Sequence, residues 1–588
     1  MRPPTISSPG AREPGLSFGT LTLEADGTLL RGNTPVHLSP KELAALRFLL
    51  ERAGRVVTTE ELREALWGDV HVTADSIPKC VSSLRARLEP DDCIQTVYKR
   101  GYRFAAEVQR HRSPQAPGLP RLAILPFAVG PNVADHLGSA IAEEATARLT
   151  ATCTPIVSVL ARDSVFTLAR QGLSAHLIGE KLKADLVLTG TLFALPSHFR
   201  LRAEMIRVED GTQIWVEDML VARDRAAGLE SELVERLAFR LGGASTLSLA
   251  ASAEPVSGVM ELDAYENFLR GHHNWQTLER HRMQDGMQHL LRAAELDPTL
   301  ISAQIDLVNA CVTQSFYGFM SSRVAAEHVR RIADGIPNLA QDAAAILPAL
   351  GWVTFHVEHN LTSAIRMFAQ CSHLPHDPWT TRQRVMFALS RHRFGEACEL
   401  LQAAMIEDPF APWLHARLGW AYHLAGEAAK SVEQIEKSLA LFPEHEGANL
   451  YGAIILAFNG QASRGSRLAQ DLAQRLPYFD MATAVNAYAL ACEGNHAHAL
   501  SMMERLQWLS RERFVLRSFN PAVYVALGDL QGAISELRAA ADSRCPWFFQ
   551  MLADPRLKPL RGQQEFEEMR ALLNTMESAA AEALAYQS

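Results

Sequence analysis

The eight cysteines of this 588-residue chain, at positions 80, 93, 153, 311, 371, 398, 492 and 545, never form a CxxC pair. That scatter argues against a thiolate zinc site and against a disulfide framework, so packing thiols in a reducing cytoplasm are expected. Long apolar runs are missing too. The longest, near Leu450–Phe458, is about nine residues, where a bilayer span takes about twenty. The opening MRPPTISSPGAREPG has no apolar centre of the signal-peptide kind, so no membrane contact is expected. No Walker A, GxGxxG, HExxH or GxSxG motif occurs, and the pair His272-His273 has no spaced partner set for a metal. No enzymatic activity, cofactor or metal is therefore expected.

What the chain does have is the composition of soluble folded protein, 48% hydrophobic and 21% charged residues, over a length that exceeds one hydrophobic core. A net charge of -9 argues against non-specific coating of nucleic acid but allows a local basic face. Residues 1–17, rich in Pro, Gly and Ser, are expected to be disordered. A first domain spans 18–108, and 109–120, containing HRSPQAPGLP, reads as a linker. Residues 121–245 mix short β-rich runs with helix, 260–575 are helical, and 576–588 are left as a tail.

In the first domain, Phe18–Leu38 alternates apolar and polar residues around Asp26-Gly27, the pattern of a small antiparallel sheet. Ser39-Pro40-Lys41-Glu42 and Thr58-Thr59-Glu60-Glu61 both place Glu three residues after an N-cap, which predicts two helices. Leu43, Leu46 and Leu50 stripe the first. A third helix is predicted from Asp75-Ser76 to Leu88, with Pro78 tolerated in its first turn. Ile94–Val108 then reads as two strands around a basic tip, Lys99-Arg100-Gly101. On the third helix Ile77, Val81, Leu84 and Leu88 share one face. The opposite face carries Lys79, Ser82, Ser83 and Ala86, small or singly basic residues that let a helix lie deep in a major groove. Arg85 and Arg87 flank that face within reach of phosphates. A solvated amphipathic helix would show the same pattern, and charge favours the groove. Residues 76–112 hold eight Lys and Arg against four Asp and Glu, whereas 18–75 hold six against nine. Positive charge thus gathers on the third helix and the hairpin, as phosphate neutralisation requires.

These features resemble the OmpR/PhoB-type winged-helix family through LSPKELAALRFLLERAGRVVTTEELREALWG, VSSLRARL over Val81–Leu88, and IQTVYKRGYRF. The resemblance covers Phe18–Val108. It implies a recognition helix at Ser76–Leu88 and a wing at Tyr98, Lys99 and Arg100 that touches the minor groove or backbone. It also implies that the loop Trp67–Thr73 either contacts RNA polymerase or is a plain connector. Pro78 departs from the family pattern, which would shorten or tilt the start of the helix. With 17 residues ahead of the module, no receiver domain is expected, nor control by aspartate phosphorylation within the chain. A winged helix followed by a sensor or interaction region resembles the CadC/ToxR- and HilA-type regulators, and the missing membrane span favours the soluble HilA-like kind.

In the middle domain, Arg121–Phe127, Ile156–Leu160, Asp185–Leu195, Phe199–Val208 and Thr212–Met219 read as strands. Asp135–Thr150, Ser174–Lys183 and Ala226–Leu241 read as helices. This stretch resembles the small α/β domain that precedes tetratricopeptide arrays in many bacterial regulators and some adenylate cyclases. The residues that carry the likeness are Ile124-Leu125-Pro126-Phe127, Ala184-Asp185, Gly190, and Asp210-Gly211 through Trp215. Asp185 and Asp210 are assigned strand-entry and turn roles.

Beyond it, Gly426, Gly460, Gly494 and Gly528 recur every 34 residues. So do Pro375, Pro409, Pro443 and Pro477, and the small residues Ala397, Ser431, Gly465, Ala499 and Ala533. That period belongs to tetratricopeptide repeats, two antiparallel helices per unit. Glycine supplies the turn, the small residue lets the helices approach, and proline ends the second helix. The clearest unit runs from Leu418-Gly419-Trp420-Ala421-Tyr422 through Ala440-Leu441-Phe442-Pro443, and Tyr265–Pro298 reads as a less regular one. Trp413, Trp420 and Tyr422 are expected in the core. Such units stack into a superhelix whose concave face takes a protein partner or a second copy.

The expected architecture is multidomain: a winged helix-turn-helix (α+β), a small α/β domain and an all-α tetratricopeptide superhelix. The expected function is a cytoplasmic, sequence-specific DNA-binding transcription regulator, an activator, with promoter DNA and RNA polymerase as partners. The array would serve protein interaction or signal input, and the HilA resemblance implies virulence genes as targets. The alternative is a tetratricopeptide scaffold whose winged helix does not read DNA.

Overall fold

The computed structural model describes residues 15–23, 29–31, 34–36, 38–50, 52–67, 76–88, 93–97, 100–106, 109–111, 119–153, 156–222, 229–242, 262–276, 278–336, 344–371 and 378–585. The chain divides into two units, 1–118 and 119–588.

In chain order the first unit holds β1 (Gly15–Phe18), β2 (Leu21–Leu23), β3 (Leu29–Arg31), β4 (Thr34–Val36), α1 (Pro40–Leu50), β5 (Val56–Val57) and α2 (Thr59–Trp67). It continues with α3 (Ser76–Leu88), β6 (Ile94–Val97), β7 (Gly101–Phe104) and β8 (Gln109–His111). One antiparallel sheet runs β4-β3-β2-β1-β8 and a second runs β5-β7-β6. Both predicted capping boxes form. Ser39 N–H donates to Glu42 Oε2 at 2.7 Å, and Glu42 N–H returns to Ser39 Oγ at 3.4 Å. Thr58 N–H donates to Glu61 Oε2 at 2.7 Å, and Glu61 N–H to Thr58 Oγ1 at 3.1 Å. The helices close over Leu46, Leu62, Val81 and Leu84, and Phe18 meets Phe104 edge-on at 5.1 Å.

Two boundaries move. The sequence pattern assigns Gly15 to Ser17 to a disordered lead and Gln109 to His111 to a linker. They pair instead, Gly15 with His111 and Ser17 with Gln109. Strands this short show no readable apolar alternation, and their pairing spans the whole domain.

The second unit begins with β9 (Arg121–Ile124), β10 (Ala128–Val129), α4 (Asp135–Cys153), β11 (Ser158–Val159), α5 (Arg162–Arg170) and α6 (Ala175–Leu182). β12 (Leu186–Ala194), β13 (His198–Arg207), β14 (Gln213–Ala222) and α7 (Leu229–Gly242) complete its α/β part. The sheet runs β11-β9-β12-β13-β14, with β10 beside β12. β9 is parallel to β11 and β12, and β13 is antiparallel to both its neighbours. Asp185 accepts from Arg121 N–H at 2.7 Å at the strand entry, and Asp210 accepts from Thr212 N–H at 3.0 Å in the turn. Helix α5 is absent from the sequence reading. Its N-cap is Ala161, which has no side chain able to cap, so no start signal marks it.

The repeats follow as helix pairs: Leu262–Trp275 with Arg280–Leu296, Ile301–Tyr317 with Ser322–Asp334, Leu347–His356 with Leu361–Gln370, and Pro378–Ser390 with Phe394–Glu407. Then come Pro412–Leu424 with Ala428–Leu441, Glu446–Phe458 with Ala462–Arg475, Asp480–Cys492 with His496–Glu512, and Asn520–Ala526 with Leu530–Asp542. The glycines of the 34-residue series take φ of 76°, 84°, 85° and 83°, and Gly562, at 86°, continues it. One step earlier the position is His392, also left-handed at φ 58°. Ala397, Ser431, Ala499 and Ala533 are fully buried, and a Cβ on Gly465 would stand 2.5 Å from the Ala453 carbonyl. Pro409, Pro443 and Pro477 each follow the end of a second helix, while Pro375 lies outside the described residues. The tail drawn at 576–588 is a correction, since Gln564–Ala585 is one helix and Arg391 donates to its Glu577 at 2.6 and 2.8 Å.

The inner surface of the array is occupied by the chain's own segment 545–560. Trp547 packs on Phe316 and Tyr451, and Phe549 on Phe355. Gln550 bonds Ser390 and accepts from Trp420 Nε1, and the Arg556 guanidinium lies 4.9 Å from the Tyr488 ring centre. The α/β part is joined to the repeats by buried polar contacts. Asp408 accepts from Ser164 N–H at 2.9 Å, Ser164 Oγ accepts from Phe410 N–H at 2.7 Å, and His272 bridges Glu143 and Asp306 at 2.5 Å each. Trp420 is core as expected. Tyr422 accepts from Gln402, and Trp413 is half-buried.

Candidate nucleic-acid interface

Helix α3 presents two faces. Ile77, Val81, Leu84 and Leu88 are at most 4% exposed and bind it to the core. Lys79, Ser82, Ser83, Ala86 and Arg87 are exposed on the other side. Pro78 sits within the first turn, where N–H groups have no helical partner to lose, and the helix starts at Ser76 without a break.

Two of the predicted contact residues have duties within the fold. Ser83 Oγ donates to Glu42 of α1, fixing α3 to the helix beneath it. Burial pushes the Glu42 carboxyl up, but hydrogen bonds from Ser83 and Ser39 outweigh it and hold its pKa below the usual range. Arg85 turns away from the exposed face. Its Nε donates to Ile94 O at 2.9 Å and its Nη2 to Thr96 Oγ1 at 2.8 Å, bracing α3 against β6. An arginine flanking a helix face has the same spacing whether it reaches solvent or a neighbouring strand, so periodicity alone does not separate the two.

The hairpin tip is closed by Arg100 N–H donating to Val97 O at 2.9 Å. Arg100 is exposed, while Tyr98 and Lys99, like residues 68–73 of the Trp67–Thr73 loop, lie outside the described residues. Gly101 takes φ 133° and packs so closely on β5 that a Cβ there would stand 2.0 Å from Val57 O. Among the described residues of α3 and the hairpin tip, Lys79, Arg87 and Arg100 are cations set outward, with Ser82 and Ala86 as small residues between the helical ones. Arg31 and Lys41 have positioning roles that the sequence does not signal. Arg31 donates to Arg87 O at 3.2 Å, and Lys41 donates to Leu66 O, tying α1 to α2.

Residues 33–104 match the family model described as "Transcriptional regulatory protein, C terminal". The chain is 21% identical to the transcriptional regulator HilA of Salmonella typhi over 83% of its own length and 82% of that protein's. It is 32% identical to the phosphate regulon transcriptional regulatory protein PhoB of Escherichia coli over 17% of this chain and 45% of PhoB. The DNA-binding domain of E. coli CadC aligns over 17% of this chain and all of its own, at 26% identity and a TM-score of 0.16. Among the described residues no helix is long and apolar enough to cross a membrane. The chain thus joins a winged helix of the transcriptional-regulator type to a tetratricopeptide-like array, and it is similar to HilA over most of its length.

Proposed function

We propose that this chain is a sequence-specific, DNA-binding transcription activator in which α3 enters the major groove and the Arg100 turn lies against the backbone. The observation that carries this reading is the outward face of α3. It is free of large side chains at Ser82 and Ala86, basic at Lys79 and Arg87, and continues into the exposed Arg100. Small residues permit depth, and the cations neutralise phosphate. Promoter DNA is the partner this face fits. Contact with RNA polymerase rests on the OmpR/PhoB-type resemblance of the Trp67–Thr73 loop and virulence genes as targets on the HilA-type resemblance, and activation and a place in the cytoplasm belong to the same proposal. Lys79→Ala and Arg100→Ala test the face in the full chain. Each is expected to weaken promoter binding several-fold with the fold intact, and to lower the slope of log affinity against log salt by about 1. Unchanged affinity and slope in both variants would remove this face from DNA and favour a scaffold whose winged helix reads no DNA.

A further inference from the structure

We propose that the junction between α5 and the repeat helices Pro378–Ser390 and Pro412–Leu424 is a binding site for a small ligand bearing a carboxylate or phosphate group. Nothing in this depends on DNA binding.

Arg382 lies with its guanidinium carbon 4.6 Å from the ring centre of Trp413 and 5.6 Å from that of Trp379. Its Nη2 is 3.7 Å from Asp163 of α5. Arg417, on the next inner helix, stands 5.1 Å from the ring centre of Tyr451 and 5.5 Å from that of Trp547. Four buried nitrogens in this one neighbourhood have no hydrogen-bond partner among the described residues: Arg382 Nε, Arg417 Nη1, and Nε1 of both Trp379 and Trp413. All four are donors. An unpaired buried donor forfeits its hydration with nothing in return, so their concentration marks a place that an acceptor completes.

The local field has the matching sign. Burial, and then Arg382, Arg170 and Arg417, push the His445 imidazole down to about 3, the direction that a locally positive field imposes. Two carboxylates lie near Arg382: Asp163, already shared with Arg162 at 3.1 Å, and Asp408, which accepts from Ser164 N–H at 2.9 Å. Guanidinium groups between aromatic walls, with indole N–H groups beside them, suit a ligand group that only accepts. A neutral sugar, whose hydroxyls accept as well as donate, would leave the guanidinium charges unbalanced, and a cation would meet like charge. The side chain of Arg382 is 34% exposed, so the cluster opens to solvent. Junctions between packed domains are a common place for small-ligand sites.

The test uses the full-length protein without DNA, titrated with sodium pyrophosphate or sodium citrate against sodium chloride of matched ionic strength. Melting temperature and the 15N-indole resonances of tryptophan are followed, with Trp379→Phe and Trp413→Phe identifying two of the signals. Expected is a saturable rise in Tm of about 2–4 °C with at least one anion. The Trp379 and Trp413 signals should move, and both effects should be lost in the double variant Arg382→Gln/Arg417→Gln. A response to pyrophosphate alone assigns phosphate chemistry, to citrate alone carboxylate chemistry, and to both the shared oxyanion. The proposal is overturned if neither anion exceeds chloride, or if the double variant responds as the parent does. Should the double variant fail to fold, unmoved Trp379 and Trp413 resonances in the parent overturn it by themselves.

Discussion

Gly101 gives up a side chain so that β7 can lie directly on β5. At φ 133° and 2.0 Å from Val57 O, an added Cβ must displace backbone, and no flexible side chain is there to yield. Gly101→Ala is therefore expected to cost about 2–4 kcal/mol and to disorder the hairpin that carries Arg100. Thermal melts of the full chain, together with promoter affinity, check it. A variant with parental stability and affinity would mean that the two strands separate freely. Arg85 supplies the opposite case, a basic side chain beside the proposed DNA face whose Nε and Nη2 donate inside the fold. Arg85→Ala should lower stability by about 1–2 kcal/mol while leaving the salt slope of DNA binding unchanged. A slope reduced as far as in Lys79→Ala would instead return Arg85 to the phosphates.

Between elements, the seam of α5 with the repeats rests on Asp408. Burial, and then Asp163, push its carboxyl up to about 7, against about 4 in an unfolded chain. A carboxyl raised in the folded state stabilises fully below its unfolded pKa, and that contribution is lost as pH climbs through the folded value. The seam thus weakens between about pH 4 and 7. Asp408→Asn keeps an oxygen for the Ser164 N–H and removes the titration. Tm should fall from pH 5 to pH 8 in the parent and less so in the variant, by the equivalent of about 2 kcal/mol. Equal slopes would place the loss elsewhere, for instance on Glu230, whose carboxyl burial also raises to about 7. This seam also shows where sequence reading stops. The cap of α1, the buried face of α3 and the glycine turns were legible because each is set by residues within a few positions. Asp408 meets Ser164 across 244 residues, and no local period reports that. His392 escaped for a related reason. It holds the left-handed turn that glycine holds elsewhere, a strain of roughly 1–2 kcal/mol, offset by its bond to Phe549 O at 2.7 Å, 157 residues away. Of the proposed DNA face, the helix and its exposed side were readable, while the inward turn of Arg85 and the Ser83–Glu42 tie were not, since both depend on partners outside the helix.

At the scale of the array, Trp547 is the plug of the inner surface. It is 1% exposed, donates to Phe316 O at 2.8 Å and meets the edge of Phe519 at 5.2 Å. Trp547→Ala is expected to destabilise the second unit by about 3–5 kcal/mol, read as a lowered melting transition, with Lys79-dependent DNA binding retained at low temperature. A loss near zero would mean that the segment rests on the helices without holding them.

Stacked repeats in which each unit touches only its neighbours tolerate the gain or loss of a whole copy, and they fray from the ends. The segment 545–560 removes both freedoms. It must reach from Phe316 to Tyr488 at once, so the number of copies and the length of the segment are fixed together. The array is therefore expected to melt collectively, in one calorimetric transition, where an open stack of repeats would lose its end units first.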